Sequence, residues 1–282
     1  PFLRILTMIK TYHEAPKSLF RLMQTHTDGD YALVHLFESD PAYYNLFVQA
    51  LARGRDVILD NSVFELGEAA DGPMFAEWVR KLKPTWYIVP DVLEDASATI
   101  DRFKQFISAY PDLPGKRIGV VQGESLSEAI RCYKALEPEC DMLAFSFDFS
   151  WWTDVFPVGG DANTPTKWHS FARGRIWMLE EFLRRGVINR SKPHHLLGVA
   201  LPQEMKYYSS MKKLEPDNWG WLRSVDTSNP VVHGLKGITY TAKGLQDKET
   251  QKLHELINYV PNIEQVQLVV FNTNMFRRFC NE

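Results

Sequence analysis

Three aspartates and a glutamine occupy one recurring kind of position in this chain. Val57-Ile58-Leu59 runs into Asp60, Tyr87-Ile88-Val89-Pro90 into Asp91, Ile118-Gly119-Val120-Val121 into Gln122, and Ser224-Val225 into Asp226, which Thr227-Ser228-Asn229-Pro230 follows at once. Short apolar runs that finish in carboxylates or carboxamides are what a parallel barrel presents at the C-terminal ends of its strands, where active sites of that architecture gather. A single aspartate there could equally cap the next helix. Several of them together with a glutamine describe a shared site, with Asp226 as its reactive centre.

Two carboxylates facing one pocket suit displacement at a sugar's anomeric carbon, one attacking the carbon while the other manages the leaving group's proton. An aspartate beside a glutamine also suits the edge of a purine. The carboxylate accepts from ring and exocyclic amines, and the carboxamide both donates and accepts. Phe64, four residues after Asp60, could lay a ring face on such a base, although a lone phenylalanine is more often core. Asp148 fits less well, because Phe147 and Phe149 on either side give it a structural setting.

These residues need a scaffold that brings strand ends together. The chain has 282 residues, 45% of them hydrophobic, close to the roughly 250 typical of an eight-stranded α/β barrel. The expected class is therefore α/β, a (β/α)8 TIM-like barrel formed by residues 1–282 as a single domain. Leu3–Ile9 is a strand-like apolar run, seven strands are expected at Tyr31–Phe37, Val57–Leu59, Trp86–Val89, Arg117–Val121, Met142–Phe145, His195–Val199 and Leu222–Val225, and Lys236–Tyr240 reads as a poor eighth. Helices are expected at Pro16–Thr25, Pro41–Ala52, Met74–Leu82, Val92–Tyr110, Ser125–Leu136, Arg175–Arg185, Gln203–Lys213 and Asp247–Asn258, while Val266–Phe271 reads as a strand or the start of a terminal helix. Alternation at this cadence favours parallel pairing through right-handed crossovers. Ser150–Ser170 interrupts it with Trp151-Trp152, Gly159-Gly160 and several prolines, an inserted loop expected to border the site.

The order Asp60-Asn61-Ser62-Val63-Phe64-Glu65, Pro90-Asp91, Gly119-Val120-Val121-Gln122-Gly123, Leu197-Gly198-Val199-Ala200 and Val225-Asp226 resembles the queuine and archaeosine tRNA-guanine transglycosylases. It is similar above all to their phage relatives, the DNA 7-deazaguanine transglycosylases. The resemblance spans roughly Asp56 to Gly237 and implies a pentosyltransferase that replaces guanine in a polynucleotide with a 7-deazaguanine through a covalent glycosyl-enzyme intermediate, without a cofactor. By position it places the nucleophile on Asp226 and the general acid/base on Asp60. Base recognition falls on Asp91, Gln122 and the backbone around Gly198, and the stacking aromatic on Phe64. Two departures stand out. Ser62-Val63 replaces the family's glycine pair, and the cysteine-rich zinc element of the tRNA enzymes is missing.

That second departure favours DNA over tRNA as the partner polymer, together with the free 7-deazaguanine base. Phosphate contacts are expected from Lys167, Arg173 and Arg175 beside the long loop, from Lys212-Lys213, and from Arg277-Arg278, each of which could also be an ordinary solvated charge. Trp151-Trp152 could wedge beside a flipped nucleotide or be buried under the loop. A net charge of −3 argues against indiscriminate adhesion to nucleic acid, without excluding a local basic face. Cys132, Cys140 and Cys280 form no CxxC pair, so reduced packing thiols and no metal are expected. No apolar run reaches the length of a membrane span, and Pro1–Lys10 lacks a signal-peptide cleavage site, which points to a cytoplasmic protein, in the host cytoplasm if phage-encoded. Action alone, as a homo-oligomer or with a partner protein stays open. Exchange on tRNA is one rival, and a retaining glycoside hydrolase, which needs two carboxylates about 5–5.5 Å apart on the same kind of face, is another.

Overall fold

A computed structural model describes residues 8–158 and 166–281. Eight parallel strands, β1 (Lys10–Tyr12), β2 (Gly29–Leu33), β3 (Asp56–Asp60), β4 (Trp86–Ile88), β5 (Lys116–Val121), β6 (Met142–Phe145), β7 (His194–Leu196) and β8 (Leu222–Asp226), pair in sequence order and close into a barrel. The longer helices are α1 (Pro41–Ala52), α2 (Gly72–Leu82), α3 (Ala96–Ala109), α4 (Leu126–Leu136), α5 (Lys167–Arg184), α6 (Glu204–Leu214), α7 (Asn229–Leu235) and α8 (Ile263–Phe279). This is a (β/α)8 TIM barrel, and no helix among the described residues is long and apolar enough to cross a membrane.

Period-two alternation along the strands builds two apolar layers from one set of short segments. Ile58, Trp86, Ile88, Ile118, Val120 and Met142 point into the barrel, whereas Val57, Leu59, Tyr87 and Leu143 point out against the helices. Asp60, Gln122 and Asp226 share the inward phase of Ile58, Val120 and Ser224, so the pleat itself aims them at the barrel axis. The helices begin on chemical signals visible in the chain: Asp40, Asp71, Asp95 and Ser125 each accept a backbone N–H three residues on, and Pro41 and Pro73 fit the first turn.

Closure is achieved differently from the expectation. Residues 236–240 form no barrel strand: they follow the end of α7, and Tyr240 is held by Asn272 through its backbone N–H and by Asn229 through its hydroxyl. The missing strand is β1, which pairs with β8 through Lys10↔Ser224, Thr11↔Val225 and Tyr12↔Asp226. Of the strand-like run Leu3–Ile9, Leu3–Thr7 lies outside the described residues, and the ladder begins one residue past Ile9. Asp247–Asn258 supplies only a single 3₁₀ turn at Leu253–Leu256. Residues 266–271 belong to α8, which a capping box of Asn262 with Gln265 starts. The polar-flanked Tyr31–Phe37 run stops as a strand at Leu33 and turns into 3₁₀ helix. Within the interrupting loop there is a one-turn helix at Trp152–Val155, Gly159-Gly160 falls outside the described residues, and α5 starts at Lys167, well before the expected Arg175.

Candidate active site

At the C-terminal ends of the strands a cavity of about 90 Å³ is lined by Asp60, Asp91, Gln122, Gly198, Phe64 and Asp226. All six residues that the sequence marks for catalysis and base recognition thus border one cleft. Asp226 ends β8, and its Oδ1 accepts from His195 Nε2 at 2.8 Å and from the Gly198 backbone N–H at 3.4 Å. A carboxylate oxygen only accepts, so Nε2 carries a proton, and Nδ1 bonds the Ser224 hydroxyl at 2.8 Å. With Oδ1 doubly engaged, Oδ2 is the less constrained of the two oxygens.

Asp60 is buried at the end of β3. Its Oδ2 accepts from the Ser62 backbone N–H at 2.9 Å, and the Tyr31 hydroxyl also bonds its carboxyl. Burial, and next the negative charge of Asp226, push its pKa up to about 8, so it holds a proton near neutrality. Ser62, standing where the resembled family has glycine, adopts the left-handed conformation at φ 65°, which suits glycine and costs an L-residue about 1–2 kcal/mol. The loop therefore takes a shape that glycine would take without strain.

Asp91 and Gln122 are bonded to each other, Nε2 of Gln122 donating to Oδ2 at 2.7 Å, while Asn61 Nδ2 donates to Oδ1 at 2.7 Å. The Glu94 backbone N–H donates to Gln122 Oε1 at 2.9 Å, so the whole edge is held in one orientation. Burial raises Asp91 to about 6, against the opposing effect of the two amide donors. Each carboxylate oxygen keeps a second lone pair for a ligand N–H.

Several lining residues escaped the sequence reading. Glu14 sits two residues beyond Tyr12 on the inward phase of β1, and burial, then the charges of Glu65, Asp226 and Asp60, raise its pKa well above the carboxylate range. Its strand was unrecognised because Lys10-Thr11-Tyr12-His13 has no apolar run. His195 was taken only as the start of a strand, although a histidine on the inward phase was the available signal. Asn61 lay inside a quoted motif without a role. Lys248 lines the cleft from a loop, and burial lowers it to about 7; nothing in its neighbours along the sequence announces it.

The expected phosphate contacts separate into those near the cleft and those that are not. Arg175 is fully buried: it pairs with Glu204 at 2.7 Å and donates to the carbonyls of Phe145, Leu197 and Gly198 at 3.2, 3.0 and 3.0 Å. It braces the turn that carries Gly198 and meets no phosphate. Arg277 bonds Asp28 at 2.7 Å and the His26 carbonyl at 3.1 Å, at the N-terminal end of β2 and hence on the opposite end of the barrel, with Arg278 in the same helical turn. Lys212 is buried against the carbonyl of Leu222 at the start of β8 at 2.5 Å, and its neighbour Lys213 donates to the Asn281 carbonyl. Lys167 and Arg173 are exposed near the start of α5. Trp152 is fully buried against Gly174 and Trp151 donates to the Gly123 carbonyl at 3.0 Å, so neither is free to wedge between bases. Asp148 accepts from the Ser146 hydroxyl at 2.7 Å. Cys132, Cys140 and Cys280 are buried thiols, and among the described residues no group of three or more His, Cys, Asp or Glu is placed to hold a metal ion.

The chain matches no family model and no curated protein. Among solved structures it is similar to the YdjI aldolase from Escherichia coli K12, with a TM-score of 0.45 and 8% identity over 99% of this chain and 91% of that one. It is also similar to an enolase protein from the Sargasso Sea environmental genome sequencing, with a TM-score of 0.43 and 8% identity over 78% of this chain and 54% of that one, about half of the enolase's length. A third is 2,3-dimethylmalate lyase, a PEP mutase/isocitrate lyase superfamily member, with a TM-score of 0.42 and 10% identity over 80% of this chain and 79% of that one. At such identities the chemistry of this cleft is read from its own residues.

Proposed function

We propose that the protein is a base-exchange transglycosylase that replaces guanine in DNA with a 7-deazaguanine. The observation that carries this reading is the joint presence in one cleft of two carboxyl groups, Asp226 and an Asp60 raised by burial so that it holds a proton, with a hydrogen-bonded Asp91–Gln122 edge. Asp226 Oδ2 attacks C1′ of a flipped-out guanosine as the C1′–N9 bond breaks, and the departing N9 takes the proton held by Asp60. The incoming 7-deazaguanine then returns a proton to Asp60 from its own ring nitrogen and displaces Asp226 from C1′. Two displacements restore the starting stereochemistry, and the bonds broken and formed are of one kind, so the exchange needs no external energy source. A saturated sugar would leave the planar Asp91–Gln122 edge without a matching partner, which sets this reading above glycoside hydrolysis.

The test is to incubate the protein with labelled guanine and either DNA or tRNA. Label is expected in DNA, and label in tRNA alone would transfer the reading to the tRNA enzymes. Asp226→Asn should fold normally and give no covalent adduct with the polynucleotide on a denaturing gel. An undiminished adduct removes Asp226 as the nucleophile.

A further inference from the structure

The mouth of the cleft carries an alternating set of rings and ammonium groups. Lys252 Nζ stands 5.6 Å from the centre of the Phe64 ring and donates to the carbonyls of Phe64 and Glu65 at 3.1 and 2.7 Å. Lys248 Nζ lies 3.6 Å from the centre of Phe147 and 5.0 Å from that of Trp168, and Lys167 Nζ lies 4.5 Å from Trp168. The rings are themselves contiguous: Phe64 and Phe147 are 5.5 Å apart, and Phe147 and Trp168 are 6.4 Å apart at an interplanar angle of 28°. Phe64 is 42% exposed, Lys167 is exposed, and Trp168, Lys248 and Lys252 are half-buried.

Charge divides this region sharply. Inside the cleft stand the carboxylates of Asp91 and Asp226, with Glu14 and Asp60 raised towards their protonated forms beside them, and this set disfavours any anion. Around its mouth stand three lysines on aromatic faces. A ligand suited to both presents regularly spaced negative charge and flat rings outside, and inserts one uncharged ring. A nucleotide strand has that make-up, with a phosphate for each base and a neutral purine to insert. We infer that Lys167, Lys248 and Lys252, with Trp168, form the surface that docks the polynucleotide strand. The lysines meet phosphates flanking the inserted nucleotide, and Trp168 offers a face to a neighbouring base. This inference rests on the base-exchange reading of the cleft, and it transfers the phosphate contacts from the buried and oppositely placed arginines to the rim.

A single-stranded DNA oligonucleotide is the probe, and its affinity is measured across a range of salt concentrations at pH 6, where Lys248, lowered to about 7 by burial, carries its charge. Replacing all three lysines with glutamine (Lys167→Gln, Lys248→Gln, Lys252→Gln) should flatten the slope of log affinity against log salt by about 0.7 per lost contact, about 2 in all. The matching triple arginine variant should keep the wild-type slope, since it keeps the charge. Trp168→Ala should weaken binding about tenfold with the slope unchanged. The rim is overturned if the glutamine variant keeps the wild-type slope, or if the arginine variant loses it as fully as the glutamine variant does. Wild-type protein that shows no salt-dependent binding of the oligonucleotide would overturn the base-exchange reading as well, so the two failures are distinct.

Discussion

Asp60 and Asp226 are chemically alike and differ through their surroundings. Both are buried, and Asp226 is fixed by His195 and Gly198, whereas Asp60 is pushed up to about 8 by its burial and next by that neighbouring carboxylate. A carboxyl with its pKa raised on folding stabilises the folded state below the unfolded value of roughly 3.9, and that contribution is lost as pH rises to about 8. The unfolded chain gives up its proton across this window while folded Asp60 keeps it. Asp60→Asn should therefore gain stability relative to wild type from pH 4 to pH 8, by at most about 1.4 kcal/mol per pH unit, read from denaturant midpoints. Adduct formation in the wild type, which in the proposed reaction needs protonated Asp60, should fall as pH rises through about 8 in a quenched time course. An adduct rate that keeps climbing from pH 7 to pH 9 would show that Asp60 is not the proton donor.

At the scale of elements, the site depends on a turn that is braced from behind. Gly198 follows β7 with φ +60°, and a Cβ there would lie 2.4 Å from Phe147 Cδ1, so both conformation and space call for glycine. Arg175, reaching from α5, ties the carbonyls of Leu197 and Gly198 to the carboxylate of Glu204 on α6. This pair is fully buried, and removing one member strands the other's charge in the interior. Arg175→Ala should thus lower unfolding stability by about 3–5 kcal/mol. A loss under 1 kcal/mol in equilibrium unfolding would count against the bracing role.

Across the whole molecule, the two ends of the barrel have separate tasks. The C-terminal end holds the cleft, while the N-terminal end is tied by ion pairs such as Arg223 with Asp56 at 2.7 Å and Arg277 with Asp28 at 2.7 Å. Tyr12 adds a hydroxyl bond to Asp56 at 2.7 Å, joining β1 to β3 at that end. Substitutions there are expected to move stability and leave the reaction alone. Arg277→Ala should therefore leave both label incorporation and the salt slope of polynucleotide binding unchanged, and lower stability by no more than about 1 kcal/mol because its ion pair is partly solvated. A slope reduced by about 0.9 on duplex DNA would restore Arg277 to the phosphate contacts.

The sequence by itself determined the barrel and the polar ends of its strands, because both follow from local pattern. Period-two alternation and capping chemistry act within a few residues, and the inward phase of Ile58 carries over to Asp60 as that of Val120 carries over to Gln122. What only the tertiary structure decided are features made by residues far apart in the chain. The closure of β8 on Lys10–Tyr12 is one, since three mixed residues become a strand only when a partner edge supplies their hydrogen bonds. The burial of Arg175 is another: nothing near it in sequence tells that Glu204 and three carbonyls will surround it, and an arginine's charge reads as solvated until a distant element removes the solvent. The proton on Asp60 belongs to the same class, because desolvation and the charge of Asp226 act through space and leave no mark on the residues beside it.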